Sequence, residues 1–393
     1  MSEKLAIEGG RPVKSQTIPL LRPYFDKDDE DAVAERIRAT WVIGDGQKCK
    51  EFEDAFARYL GVKHAILTTS CTAALDLAFM ALGLTDGEVI VPDYTFTSTA
   101  LAPLMNGLTV RLCDVEYETA TISPQALRAC INERTRAIVP IDYAGHPYNI
   151  DEVNTIAREH NLPVVHDAAQ SCGSSWKGAR VGSQSFITCF SFHATKNLVT
   201  GEGGCLVTND DAIAEKIRIM REKGTSRNAV VDGRKHRGYW AYEHESKGNS
   251  YVQSDILGAL ALSQLKKLDW MNAQRAQHAA YLNAGLSGIP GLRLPYVAPG
   301  VETNWHIYAV RVPAERLLWI KEALNAEGVG CDMHYRPLHQ HSYYQSMGSY
   351  TDADFPEATR VAKTLLRLPM YPSLTKEELD AIIAAVRKVF ARL

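Results

Sequence analysis

Among the eight cysteines of this 393-residue sequence (Cys49, Cys71, Cys113, Cys130, Cys172, Cys189, Cys205 and Cys331) there is no Cys-x-x-Cys pair and no Cys/His cluster at zinc spacing. A structural zinc module and a disulfide scaffold are thereby excluded, and reduced thiols are expected. No apolar run approaches the ~18 residues that a membrane span requires. The first dozen residues lack the basic-then-apolar order of a signal peptide, so the expected location is the cytoplasm. Charge of one sign is also lacking: 43 Lys and Arg stand against 46 Asp and Glu, a net charge of -3. No global field draws the chain to nucleic acid or anionic lipid, and any anion it takes must be held locally. What remains is a composition of 46% hydrophobic and 23% charged residues. That excludes a disordered tail and a collagen, and at roughly 150 residues per domain it predicts two or three domains.

Between residues 60 and 210 short apolar, β-rich runs alternate with helical periodicity, the pattern of a largely parallel sheet covered by helices. The expected strands are His64 to Thr68, Glu88 to Val91, Thr109 to Asp114, Ala137 to Asp142, Leu162 to Asp167, Ile187 to Phe192 and Gly204 to Thr208. Thr72 to Leu84 and Asp151 to His160 read as helices between them. From Asp255 onward the texture changes to a long helical stretch, Ser254 to Gly285, then a mixed segment and a terminal helix, Lys376 to Leu393. The expected organisation is an N-terminal extension (1–20), a large domain (21–255) and a small C-terminal domain (256–393).

Several expected strands end in polar residues: Thr68-Thr69-Ser70, Pro92-Asp93-Tyr94, Asp142-Tyr143 and His166-Asp167. In open α/β sheets ligands bind at that carboxyl edge, although turn and cap chemistry alone also explains such residues. Ser70-Cys71-Thr72-Ala73 follows a strand and opens a helix, which suits either a phosphate or an ordinary N-cap. Gly201-Glu202-Gly203-Gly204 fails the dinucleotide fingerprint, because its glycines precede a strand and Leu206 holds the sixth position. Asp167 ends one strand and Lys196 follows the next, so an acid and an amine can meet in one crevice. On spacing alone a solvated surface lysine is the simpler reading.

Ser191-Phe192-His193-Ala194-Thr195-Lys196-Asn197 followed by Gly201-Glu202-Gly203-Gly204 resembles the lysine motif of the DegT/StrS family of sugar aminotransferases. Asp167-Ala168-Ala169-Gln170, Ser70 to Leu75, Val91-Pro92 with Tyr94-Thr95-Phe96, and His334-Tyr335-Arg336-Pro337-Leu338-His339 match in the same order, over about residues 18 to 390. The resemblance implies an α/β enzyme of the aspartate-aminotransferase-like fold type I. Its large domain would carry a mostly parallel seven-stranded sheet, with a smaller α+β C-terminal domain, and it would work as a homodimer with shared active sites. It also implies pyridoxal 5'-phosphate (PLP) as cofactor, with Lys196 forming the Schiff base and Asp167 pairing with the pyridine nitrogen. Carried over by position, Gln170 would meet the ring oxygen and Phe96 would stack on the ring. Ser70, Cys71, Thr72 and Ser191 would hold the phosphate, and His193, Tyr335 and His339 would meet substrate.

The departures carry information too. Cys71 stands where many members have Gly, and His166 where a carboxylate often precedes the ring Asp. In Gly248-Asn249-Ser250-Tyr251-Val252 the common pattern has Asn at 250 and Arg at 252. The implied phosphate contact from the partner then falls to Asn249 or Ser250, and the usual arginine for the donor carboxylate is missing. This variant, with Glu222-Lys223-Gly224-Thr225 and Tyr251-x-x-Ser254-Asp255, resembles the branch that aminates a nucleotide-linked 4-keto-6-deoxyhexose using L-glutamate. The Glu8-Gly9-Gly10-Arg11-Pro12 start is similar instead to relatives acting on keto-cyclitols such as scyllo-inosose, and amination of a 3-keto sugar is a further alternative. A 3-dehydratase of the same family would have His in place of Lys196, and a non-catalytic PLP-binding sensor would keep the fold without turnover.

Overall fold

The seven apolar runs form strands β1 (His64–Thr68), β2 (Glu88–Pro92), β3 (Thr109–Cys113), β4 (Thr135–Ile138), β5 (Val165–Asp167), β6 (Ile187–Ser191) and β7 (Gly204–Thr208) in the computed structural model. The structure describes residues 4–225 and 243–393. β2 pairs in parallel with β3 and β4, and β5 in parallel with β6. β7 runs antiparallel between β1 and β6. Parallel bridges Ile138–Val164 and Ile141–Asp167 join the two halves. The sheet order is thus β1-β7-β6-β5-β4-β2-β3, with only β7 reversed. Two strands are displaced or shortened relative to expectation. Pro140 and Pro163 lack the N–H that a ladder needs, so regular pairing stops before the first and starts after the second.

Helices cover the sheet: α1 (Lys27–Arg38), α2 (Gln47–Leu60), α3 (Cys71–Leu82), α4 (Thr97–Met105), α5 (Pro124–Cys130), α6 (Ile150–Glu159) and α7 (Asp211–Arg221). α3 starts one residue earlier than expected, on the Ser70 cap, and stops at Gly83, whose φ of 66° suits a left-handed C-cap. α2 and α7 are tied across β1 by a buried network that the sequence reading did not foresee. Arg221 Nη1 lies 2.7 Å from Glu53 Oε1, its Nη2 2.7 Å from Asp45, and Glu53 also accepts from Leu67 N. Two ions this deeply buried are tolerated because nearly every lone pair and proton has a partner.

The C-terminal part adds β8 (Tyr308–Arg311) paired antiparallel with β9 (Leu365–Leu368), and helices α8 (Asp255–Leu286), α9 (Leu317–Ala326), α10 (Pro356–Thr364) and α11 (Lys376–Phe390). α8 spans the residue 255/256 division drawn from the sequence. Its first half contributes Ala261, Leu268 and Met271 to a core with α2, and its second half contributes Ala279, Leu282 and Leu286 to the small-domain core. Leu5 and Ile18, from the segment ahead of α1, join that second core as well. They are buried with Val329 and Phe390, and Ala6 N donates to Glu327 Oε1 at 2.8 Å. Gly9 and Gly10 serve this turn: Gly9 has φ 86°, and a Cβ on Gly10 would stand 2.1 Å from Lys4 O. All eight cysteines are free thiols. Among the described residues no helix is long and apolar enough to cross a membrane, and no cluster of three metal-ligating side chains exists.

Candidate active site

The carboxyl ends of β1, β2, β5 and β6 open on one cavity of about 520 Å³, a volume typical of small-molecule sites. Ser70, Cys71, Thr72, Phe96, Asp167, Gln170, Ser191, His193, Lys196 and Tyr335 all line it. Ten of the thirteen residues expected at the site therefore share one space. Asn249 and Ser250 do not line it; they are exposed, with Asn249 Nδ2 donating to Tyr251 Oη and Asn249 Oδ1 accepting from Ser250 N. His339 does not line it either. It is only 1% exposed, with Nδ1 2.6 Å from Asp93 Oδ2 and Nε2 3.1 Å from Asp352. The fully buried Asp93 needs a counter-charge, and His339 supplies it in place of the substrate contact expected from its motif.

The head of α3 has the chemistry to receive an anion. Ser70 Oγ accepts from Ala73 N at 3.0 Å and Ser70 O from Ala74 N at 3.0 Å, leaving the first N–H groups of the helix for a ligand. Thr72 Oγ1 lies 2.8 Å from Ser98 Oγ beside it. Gly204 makes the close approach of β7 possible, because a Cβ there would stand 2.3 Å from the Ser70 backbone. Phe96 is 54% exposed and faces the cavity, a large apolar surface that a flat ring can cover.

Asp167 is buried at the end of β5. Its Oδ2 accepts from Thr99 Oγ1 at 2.8 Å and its Oδ1 from Ala169 N at 3.1 Å. Burial raises its pKa against those two donors, so the carboxylate calls for a cation opposite it. Thr99 is the residue that sequence reasoning missed here. Its hydroxyl lies 2.7 Å from that of Thr95, which precedes α4, and no local pattern in the sequence pointed to it. At the His166 departure, Asp142 Oδ2 lies 2.8 Å from His166 Nε2 with both side chains fully buried, although neither ring nitrogen makes an aligned hydrogen bond. Gln170 is held by both ends of its amide, accepting from Ala144 N at 2.7 Å and donating to Tyr335 Oη at 2.8 Å.

Lys196 follows β6 in the loop closed by His193–Gly201 pairing. Burial lowers its pKa, Asp167 opposes that shift, and Arg367 reinforces it. His306 and His334, also on the cavity wall, are pushed down by burial, His334 to about 2, so both are neutral. Arg367 and His306 were not singled out from the sequence, and His334 was read only as the start of a motif, without a role. They come from the C-terminal part of the chain, which closes over the sheet edge.

These residues fit PLP. The α3 N-terminus suits its phosphate, Phe96 its ring, Asp167 a protonated pyridine nitrogen and Lys196 its aldehyde carbon. Residues 23–387 match the DegT/DnrJ/EryC1/StrS aminotransferase family. The Bacillus subtilis spore coat polysaccharide biosynthesis protein SpsC is 37% identical over 385 residues, covering 96% of this chain and 98% of SpsC. Helicobacter pylori PseC, an aminotransferase of pseudoaminic acid biosynthesis, superposes with a TM-score of 0.89 at 28% identity, over 96% of this chain and all of that one. DesI, solved in the presence of its TDP-sugar product, gives 0.88 at 27%, over 99% and 96%. With fold, cavity and matches in agreement, the chain belongs to the DegT/DnrJ/EryC1/StrS family, as a sugar aminotransferase of fold type I with pyridoxal 5'-phosphate as its cofactor.

Proposed function

We propose that this chain transfers an amino group from L-glutamate to the carbonyl of a nucleotide-linked 4-keto-6-deoxyhexose, in two half-reactions that use the same cavity in turn. The observation that carries the reading is the convergence of Lys196 and Asp167 on one cavity that is wide enough for a cofactor and a sugar. When bound, PLP supplies an electron sink and an atom that carries the amino group between substrates. Asp167, fixed by Thr99 and Ala169, provides the anion that holds a pyridine nitrogen protonated. Lys196 Nζ, whose hold on its proton is weakened by burial, would serve as the base that takes the proton from the donor carbon and as the acid that hands it on within the site. Neutral His306 and His334 leave that amine without an acidic competitor. Tyr335, held by Gln170, presents its ring and hydroxyl to the sugar, and His193 stands at the rim.

The nucleotide-linked acceptor is supported by the sequence variant around Ser250 and by the likeness to DesI. The N-terminal glycine pair, the cue for a keto-cyclitol, is accounted for by its turn. In the same reading a second copy of the chain completes each site, with Asn249 and Ser250 reaching the phosphate. Of those two, Ser250 has the hydroxyl to offer, since both ends of the Asn249 amide are engaged within its own chain. A panel of nucleotide-linked 3- and 4-keto sugars and scyllo-inosose, assayed with glutamate and read by mass and NMR, tests the acceptor. Turnover of a 4-keto-6-deoxyhexose derivative is expected. Inertness toward every nucleotide sugar, with glutamate still converting the cofactor, overturns the acceptor and leaves the aminotransferase standing. Bound cofactor that glutamate never converts would mark a sensor instead.

A further inference from the structure

Arg367 lies on β9, where its backbone is fixed by pairing with Ala309 and by a 2.9 Å bond from its N–H to Asp332 O. Its side chain lines the cavity. The guanidinium Nε is buried without a hydrogen-bond partner, and among the described residues no carboxylate lies within 4.0 Å of the group. A guanidinium keeps its charge at any physiological pH, and a half-buried one without a partner is costly unless a ligand supplies the anion. At position 252, where the family pattern would put an arginine for the donor carboxylate, Val252 packs against Gly44. The cavity thus holds an unused cation on one wall and lacks the expected one.

We propose that Arg367 binds the α-carboxylate of the amino donor, taking over the role left empty by Val252. The proposal rests on the reading of an α-amino acid donor given above. Distance within the substrates selects this anion over the others. An α-carboxylate is bonded directly to the carbon whose proton Lys196 removes, so its receptor must lie beside Lys196. Arg367 lines the same cavity as Lys196, His306 and His334, and its charge is felt by all three. The diphosphate of a nucleotide sugar is separated from the reacting carbonyl by the sugar ring, so its receptor must lie farther out. A planar guanidinium also matches a carboxylate in two parallel hydrogen bonds, which a lysine cannot supply.

The test uses cofactor-loaded enzyme and the variants R367Q and R367K. α-Methyl-L-glutamate, which has no α-hydrogen to lose, is titrated by calorimetry. R367Q is expected to weaken it by about 10- to 100-fold, the loss of a charge-assisted pair, and R367K by less. Isoglutamine, whose α-carboxylate is an amide, should bind wild type poorly and R367Q about as well as it binds wild type. Affinity for the nucleotide-linked amino sugar should stay within about threefold of wild type. Should R367Q fail to fold, the same glutamate-to-isoglutamine ratio is read on R367K. Unchanged discrimination against isoglutamine overturns the proposal, as does equal weakening of donor and amino sugar. A wild type that binds cofactor yet ignores glutamate refutes the donor reading itself, which separates the two failures.

Discussion

Replacing Thr99 by Val keeps the shape of the side chain and removes one hydroxyl. That hydroxyl donates to Asp167 Oδ2 at 2.8 Å and, with Ala169 N and a long contact from the Cys71 thiol, is one of three donors to a buried carboxylate. A hydrogen bond to a charged acceptor contributes about 1.5–3 kcal/mol, equivalent to about one to two pKa units. The bond favours the charged form, so its loss pushes the Asp167 pKa further upward, in the direction burial already drives it. The acid limb of the pH–rate profile should therefore move up by about one to two units, with activity lost earlier as pH falls. At neutral pH the cofactor should bind about 10- to 100-fold more weakly, from the same energy. Thr95 Oγ1 also loses its neighbour, a structural cost of about 1 kcal/mol that thermal unfolding registers separately. The assay is glutamate-driven conversion of the cofactor followed by absorbance across pH, on Thr99→Val and on Thr99→Ser, which restores the hydroxyl. An unmoved acid limb in Thr99→Val, or an equal shift in Thr99→Ser, would refute the reasoning.

Three further outcomes are expected. Lys196→Ala should fold and bind PLP without a covalent link, and lose at least about 100-fold in turnover; normal turnover, or cofactor still fixed by borohydride, removes Lys196 from its role. Glu53→Ala strands buried Arg221 and should cost about 3–5 kcal/mol in urea unfolding; a loss below about 1 kcal/mol would show that Asp45 alone suffices. His339 has a pKa raised by Asp93 and Asp352 against burial, so its contribution to stability is full below the ordinary histidine value and is lost as pH rises through the raised one. His339→Gln should flatten the dependence of unfolding temperature on pH above about 6.5, and an unchanged slope counts against the assignment.

Legibility in the sequence followed the range of the forces involved. Strands β1 to β7 were readable because apolar alternation and punctuation act over a few residues; the largest shortenings fall at Pro140 and Pro163, and other ends shift by one or two residues. Asp167, Gln170, Ser191 and Lys196 were readable because short ordered motifs carry them at strand ends. His339 belongs to such a motif, yet only the packing of β2 against residues 338–352 shows that its partner is Asp93. Arg367 gave no signal: it is a charge inside the apolar run Leu365 to Leu368, and its exposure to the cavity depends on how the C-terminal part returns over the sheet. Arg221 and Glu53 escaped notice for the same reason, since their pairing spans two helices and a strand.

The N-terminal segment that completes the small-domain core has a consequence for how the chain is made. Ala6 must find Glu327, a partner 321 residues away, and Leu5 must find Phe390. At ~5–20 residues per second of synthesis, Ala6 and its neighbours wait roughly 15 to 65 s for the groups that bury them. During that interval the large domain can finish its sheet while Leu5 and Ile18 remain exposed. This segment is thus synthesised well before its partners and housed only after them, and occupying it during translation should stall the small domain alone.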